Sequence, residues 1–133
     1  MKALLILTSL VLVTPAAAHP AGETVTPAFT HALTNVPGKK LIAARVDYAP
    51  GGASPAHHHA GSAFIYAYVL SGSIRSQVDD GPAAIYHTGE SFYEEPGALH
   101  RISENASKTK PASLLAVFVV DEGDGPLTTP DSK

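Results

Sequence analysis

The chain of 133 residues contains no cysteine, which excludes disulfides, thiolate zinc sites, iron–sulfur clusters and cysteine nucleophiles. Its nine lysines and arginines are scattered, with only Lys39 and Lys40 adjacent, so the sequence has no basic stripe for a nucleic acid. No window has a helical period of useful length. The 44% of apolar residues nevertheless suits the packed core of one globular domain.

The first eighteen residues have the three-part pattern of a secretory signal peptide. A positive start at Lys2 precedes the apolar run 3–13, and three small residues, 16–18, follow as a cleavage site. The apolar run is too short to span a bilayer comfortably. We therefore expect cleavage after Ala18 and an exported protein without a membrane anchor. It would be periplasmic in a Gram-negative host and secreted otherwise.

The mature chain shows β patterns separated by turns, for which its eleven glycines and eleven prolines are suited. Residues 64–70 are aromatic and β-branched, 74–78 alternate apolar and polar residues, and 79–82 form a hairpin-turn signal. Short strands at such spacing predict an all-β sandwich or barrel over residues 41–120. Residues 19–40 are expected to form an arm or an edge strand, and residues 121–133 a polar tail.

Seven histidines carry the chemical signal, and three of them are consecutive at positions 57–59. In an extended segment side chains alternate, so His57 and His59 share one face while His58 points the other way. Three adjacent histidines alone do not favour a binding site over a solvated, histidine-rich loop. A second cluster, with Gly89, Glu95, Gly97 and His100, makes a shared site the better interpretation.

These two clusters resemble the two sequence motifs of the cupin family. The first motif matches at Gly51, His57, His59 and Gly72, and the second matches at Gly89, Gly97 and His100. The resemblance covers about residues 41–120 and implies a single-domain antiparallel β-barrel or jelly roll with a pocket at its mouth.

The resemblance also implies a metal site, in which His57, His59 and His100 would hold a divalent transition metal. Neutral imidazoles suit Zn, Cu, Fe, Ni or Co, and an added carboxylate would favour Fe or Mn, so the sequence does not choose the metal. A small-molecule ligand or substrate is expected, and cupin-like domains often form homodimers. The apolar segment 114–120 could serve such a dimer as an exposed edge.

The sequence departs from the first motif because its metal-binding glutamate is missing. Counting along the motif places that glutamate at Ala63, Phe64 or Ile65, none of which can bind a metal. In cupin-like barrels the second-motif strand points alternate residues inward, so the resemblance implies that Phe92 and Glu94 face the interior. Glu94 is therefore the candidate for a displaced fourth ligand or a general base. The alternative is that Glu94 lies in water at the rim of the barrel. In the second motif, Glu95 replaces the proline.

Three functions follow from these residues, in this order of preference. The first is a metal-dependent enzyme of the oxygenase or isomerase type, with the three-histidine site and Glu94 acting on a small organic molecule. The second is a non-catalytic cupin that binds a small ligand, which the lost motif glutamate favours. The third is a periplasmic metal-binding protein, which only the consecutive histidines and His19 suggest.

Overall fold

The computed structural model describes residues 22–132, so the predicted signal peptide and His19 lie outside the described residues. This part of the chain consists of strands and turns without a helix. It therefore holds no helix long and apolar enough to cross a membrane. The strands are β1 (Glu23–Ala32), β2 (Lys39–Tyr48), β3 (Ala53–Ser54), β4 (His57–His59), β5 (Phe64–Ser71), β6 (Ser73–Val78), β7 (Ala84–His87), β8 (Ser91–Glu94), β9 (Leu99–Asn105), β10 (Ala112–Asp121) and β11 (Thr128–Pro130).

The strands form two antiparallel sheets that pack face to face. The first sheet has the order β1-β2-β10-β5-β8, and the second has the order β11-β4-β9-β6-β7, with β3 also paired to β9. This confirms the predicted all-β jelly-roll class. The sheets remain two separate layers and do not close into a continuous barrel.

Alternation along the strands builds the core between the layers. On β5 the side chains of Ile65, Ala67 and Val69 are buried, whereas Tyr66 and Tyr68 are exposed on the outer face. The strand therefore keeps a regular alternation from Ile65 to Val69, with the aliphatic side chains inside and the tyrosines outside. Inward-pointing residues of β2 and β10, in the same sheet as β5, add to the core; they include Tyr48, Leu114, Ala116, Phe118 and Val120.

The order of strands corrects the prediction about an exposed edge. Strand β10, which contains residues 114–120, lies in the middle of the first sheet between β2 and β5. Its backbone is paired on both sides, so it cannot accept a partner strand. Of the two expectations for residues 19–40, the structure shows the edge strand, since β1 pairs with β2. Strand β11 was not predicted; it pairs with β4 and places Thr128 opposite His59.

An irregularity in β9 decides which side chains enter the interior. The register between β6 and β9 shifts by one residue at Arg101, because Gln77 faces Ile102 while Val78 faces His100. A bulge of this kind lets residues at an odd spacing point to the same side. His100 and Ser103 are therefore both buried, although they are three positions apart.

Gly72 makes the corner where the chain leaves the first sheet at β5 and enters the second sheet at β6. Its φ angle is +71°, a left-handed conformation that glycine adopts without strain. A Cβ atom at this position would lie 2.6 Å from the carbonyl oxygen of Pro111. The glycine that ends the first motif is therefore required by both the turn and the close approach of the neighbouring chain.

Candidate metal centre

The three predicted histidine ligands meet in the interior. His57 on β4 is the direct cross-strand neighbour of His100 on β9, and His59 follows two residues along β4. The ring centroids lie 4.8 Å apart for His57 and His59, and 5.0 Å apart for His57 and His100. One nitrogen of each ring lies within 4.8 Å of the others. That spacing allows three imidazoles to share one ion.

Hydrogen bonds outside the cluster fix which nitrogen of His57 and His59 faces inward. The Nδ1–H of His57 donates to the carbonyl oxygen of Pro55 at 2.7 Å, and Nδ1 of His59 lies 3.2 Å from the carbonyl oxygen of Leu127. A carbonyl oxygen can only accept, so Nδ1 carries the proton in both rings. When such a ring is neutral, its Nε2 atom carries no proton and offers a lone pair, which is the form that a metal requires.

Burial keeps His57 in this neutral form. Removal from water disfavours the imidazolium ion and, against the hydrogen bond to Pro55, lowers the pKa of His57 to about 4. His57 is only 7% exposed. At neutral pH it is therefore ready to bind a metal without first losing a proton.

Glu94 completes the group from the opposite sheet. Its side chain is 2% exposed, so the alternative of a rim residue in water is wrong. Oε1 lies 3.1 Å from Nδ1 of His100 and 3.5 Å from Nε2 of His59. Burial alone would raise the pKa of Glu94, but the hydrogen bonds from His100 and His59 outweigh it and lower the pKa to about 2. The group is therefore a carboxylate at neutral pH.

Two observations show that these residues fit a metal ion. The second carboxylate oxygen of Glu94, Oε2, is buried and has no hydrogen-bond partner among residues 22–132. Nε2 of His59 lies 3.5 Å from Oε1 of the same carboxylate, so a proton or a metal ion must lie between these two atoms. Buried acceptors in this arrangement need a cation between them, which is either a proton or a metal.

Ser76 on β6 orients the third imidazole. Its Oγ lies 2.8 Å from Nε2 of His100, and both groups are buried. With Nε2 held by the serine, Nδ1 is the atom that His100 presents to Glu94. The sequence analysis missed this residue, although the apolar–polar alternation of β6 places Ser76 on the same face as the buried Ile74.

The centre opens into a cavity of about 490 Å³ between the two sheets. Its walls are mainly apolar, and a second polar group made by Glu23, Tyr48, Ser54 and Ser103 lines it as well. The carbonyl of Leu127 and the hydroxyl of Thr128 reach the cavity from the C-terminal segment. The sequence analysis missed both features because each depends on pairing between distant strands.

The sequence model of the cupin domain matches residues 44–118, which is more than half of the chain. The chain belongs to the cupin family. Among curated proteins, this cupin is similar to a germin-like protein, subfamily 2 member 4, of Arabidopsis thaliana, with 31% identity over 101 residues. The match covers 73% of this chain and 45% of the relative, so this cupin spans about half the length of that protein.

Solved structures show the same fold. An oxalate oxidase in complex with the substrate analogue glycolate has a TM-score of 0.63 and 23% identity, covering 92% of this cupin and 62% of the other chain. A conserved protein with a double-stranded β-helix domain from Klebsiella pneumoniae has a TM-score of 0.63 and 17% identity, covering 91% of each chain. Identities at this level establish the architecture and leave the activity open.

Glu94 lies beside one of the positions where the first motif would have its glutamate. Ile65 stands at one of the positions where the motif predicts that residue, and it is paired directly with Glu94 of β8. Both side chains point into the interior. A buried carboxylate is therefore present next to this position, on the neighbouring strand β8. Asn105, the last residue of β9, shapes a loop, since its side-chain amide donates to the carbonyl oxygens of Ala49 and Lys110.

The remaining histidines among residues 22–132, and three long polar side chains of β2 and β6, do not line the cavity. His58 faces outward, with a side chain 45% exposed and 3.9 Å from Asp131. His31 and His87 are exposed as well. The remaining three are held by groups outside the cavity: Arg45 by Asp47, Arg75 by Glu104, and Gln77 by the carbonyl oxygen of Gly81.

Proposed function

We propose that this cupin is a metal-dependent enzyme acting on a small organic molecule. His57, His59 and His100 would bind one divalent transition metal, with Glu94 as the fourth ligand. The observation that carries the proposal is the orphaned Oε2 of Glu94, which lies buried beside three imidazoles in a cavity open to a ligand. A purely structural core would not leave a buried carboxylate oxygen without a partner.

The arrangement suits catalysis better than simple storage of a metal. Three or four protein ligands leave coordination positions free for water, oxygen or substrate. An ion there would supply Lewis-acid or oxygen chemistry. The protein itself would contribute an apolar cavity that excludes bulk water. It would also contribute the carboxylate of Glu94, which is placed to hold the ion or to accept a proton from a substrate.

The names of the structural neighbours support a small substrate without identifying it. One neighbour is an oxalate oxidase bound to glycolate, and another is a DMSP lyase with a TM-score of 0.58 and 18% identity. The cavity volume of about 490 Å³ fits molecules of modest size. The type of reaction, oxygenase or isomerase, would follow from the metal that is found.

Metal content is the measurement that tests the proposal first. The chain from His19 onward, without a histidine tag, is purified and its bound metals are quantified by mass spectrometry. We expect about one transition-metal ion per chain, and its loss in His57→Ala and in His100→Ala. His58→Ala is the matched control, because this adjacent histidine faces outward, and it should retain the metal.

Two results would separate the alternatives. If no metal binds even after reconstitution, the enzyme proposal and the metal-binding alternative are both wrong, and a ligand-binding cupin remains. If metal binds, a substrate panel chosen for that metal is assayed before and after removal by a chelator. Turnover that disappears with the metal and returns on reloading supports the enzyme, whereas metal binding without any turnover supports the metal-binding protein.

We also propose that the protein is exported, on the basis of the signal-peptide pattern in residues 1–18. Expression of the full chain in a Gram-negative host should give a periplasmic product whose intact mass corresponds to a start at His19. Leu4→Asp with Leu5→Asp interrupts the apolar run and should keep the chain in the cytoplasm. Periplasmic accumulation of that variant would contradict the proposal.

A further inference from the structure

A second polar group lies in the same cavity, and it joins the two sheets. Glu23 and Tyr48 are cross-strand neighbours on β1 and β2 of the first sheet. Ser54 and Ser103 are cross-strand neighbours on β3 and β9 of the second sheet. All four residues line the cavity that contains the histidines. We refer to them as the Glu23 group.

The hydrogen bonds of the Glu23 group run in one direction. Ser54 Oγ donates to Oε1 of Glu23 at 2.5 Å. Because a hydroxyl has one proton, Ser54 must accept from the Tyr48 hydroxyl at 2.7 Å, and Tyr48 must accept from Ser103 at 2.8 Å. Each of the three hydroxyl groups therefore donates its proton to the next group in the series of hydrogen bonds that ends at Glu23. The group offers a ligand lone pairs and negative charge, and it has no hydroxyl proton left to donate.

The phenol of Tyr48 keeps its proton within this series of hydrogen bonds. Burial raises the pKa of Tyr48 to about 12, against the hydrogen bonds to Ser103 and Ser54. The phenol is thus neutral at physiological pH and continues to donate to Ser54. The direction of the hydrogen bonds is stable over the pH range in which a substrate would be bound.

The charges of the cavity favour a positive group at this place. Among residues 22–132, those that line the cavity include two carboxylates, Glu23 and Glu94, and neither lysine nor arginine. A divalent ion at the histidines would offset the charge of Glu94, and the charge of Glu23 would remain. A carboxylate of a ligand placed here would meet another carboxylate and no donor from the Glu23 group.

We propose that the Glu23 group binds the protonated amine of a small organic molecule whose opposite end reaches the metal site. The inference rests on the proposed function, because the ligand is the substrate of that same cavity. Its body would be apolar, since the walls between the polar groups include Ala44, Ala67 and Leu114. Substrates with negative charge at both ends, such as dicarboxylates, would be excluded.

Three probes of nearly the same shape test this selectivity: benzylamine, benzyl alcohol and benzoate. Their dissociation constants are measured by ligand-observed NMR at pH 7.5 with the protein as purified. We expect benzylamine to bind about tenfold more tightly than benzoate, the ratio that one partly buried ion pair can supply. Glu23→Gln should reduce this ratio at least about fivefold and leave benzyl alcohol unchanged. Glu122→Gln, which removes an exposed carboxylate, is the matched control and should keep the ratio.

Each other outcome would overturn the inference. Benzoate binding as tightly as benzylamine, an unchanged ratio in Glu23→Gln, or no binding of any probe at millimolar concentration would each contradict a cationic subsite in this cavity. The same measurement on His57→Ala separates this inference from the proposed function. If His57→Ala has lost the metal and still binds benzylamine more tightly than benzoate, the Glu23 subsite stands and the metal proposal is tested separately. If the metal-loaded wild type shows no such preference, the metal site stands and the Glu23 subsite is wrong.

Discussion

At the scale of single residues, Glu94 and Glu95 provide a direct test of the carboxylate. They are adjacent in the chain, yet Glu94 is buried beside the histidines and Glu95 is exposed. Glu94→Gln preserves the shape of the side chain and removes its charge. We expect the affinity for the metal to fall at least about tenfold, because an anionic ligand is lost. Competition with a fluorescent chelator measures this, and Glu95→Gln should behave as the wild type. Equal affinities in all three proteins would show that Glu94 is not a ligand.

His57 predicts a pH dependence of the metal-free protein. Its pKa is lowered by burial from the ordinary 6.5 to about 4. Between these values the unfolded chain binds a proton on this histidine and the folded chain does not. The stabilising effect is therefore fully present above pH 6.5 and is lost as the pH falls towards 4. The whole loss in the free energy of unfolding is on the order of 3 kcal/mol.

Chemical unfolding of the chelator-treated protein between pH 4.5 and 6.5 measures this dependence. Glu94 contributes little change in that window, because its pKa rises from about 2 to 4.5 on unfolding and both values lie at or below its lower limit. His57→Asn retains a donor for the carbonyl oxygen of Pro55 and cannot titrate, so its free energy of unfolding should depend less steeply on pH. His58→Asn should keep the wild-type slope. The same slope in His57→Asn and wild type would mean that His57 is not held neutral by burial.

The sequence predicted most of the centre at this scale because side-chain parity in a regular strand is a local property. Alternation was sufficient to place His57 and His59 on one face, and Phe92 and Glu94 on the inner face of β8. The contact of Ser76 with His100 and the assembly of the Glu23 group needed information that alternation does not contain, namely which strands pair and in which register. The bulge at Arg101 is the clearest case, since without it Ser103 would point away from His100.

At the scale of elements, β11 links the C-terminal segment to the metal centre. Thr128 is paired with His59, and Nδ1 of His59 lies 3.1 Å from the Thr128 hydroxyl as well as near the Leu127 carbonyl. No local pattern predicts this strand, because its three residues are polar or proline and are all exposed. Its conformation is determined by pairing with β4, which is a long-range interaction.

This pairing predicts that the C-terminal segment affects metal binding. Deletion of residues 127–133 removes the groups that orient His59, so the metal affinity should fall about 10- to 100-fold. Thr128→Val leaves the backbone in place and should have a smaller effect in the same direction. Deletion of residues 132–133 alone is the control and should have none. Chelator competition on the three proteins decides the matter, and wild-type affinity in the long deletion would contradict the role of β11.

At the scale of the whole molecule, the fold could be predicted because two sequence motifs and a continuous series of short strands agree with one another. The structure adds that the four proposed metal ligands lie on both sheets. His57, His59 and His100 belong to the second sheet, and Glu94 belongs to the first. An ion at this centre would therefore connect the two layers across the cavity.

This connection predicts that the metal stabilises the entire domain. The stabilisation of the first sheet would depend on the bond between the ion and Glu94. At a free metal concentration 100 times the dissociation constant, the gain in free energy of unfolding is about 2.7 kcal/mol. For a domain of this size, such a gain raises Tm by several degrees. Calorimetry of the wild type with and without metal should show one cooperative transition that moves as a unit. In Glu94→Gln at the same ratio of free metal to dissociation constant, the ion holds only the second sheet, and the transition should broaden or split on loading. A sharp transition that moves equally in both proteins would show that the metal does not act as a bridge between the sheets.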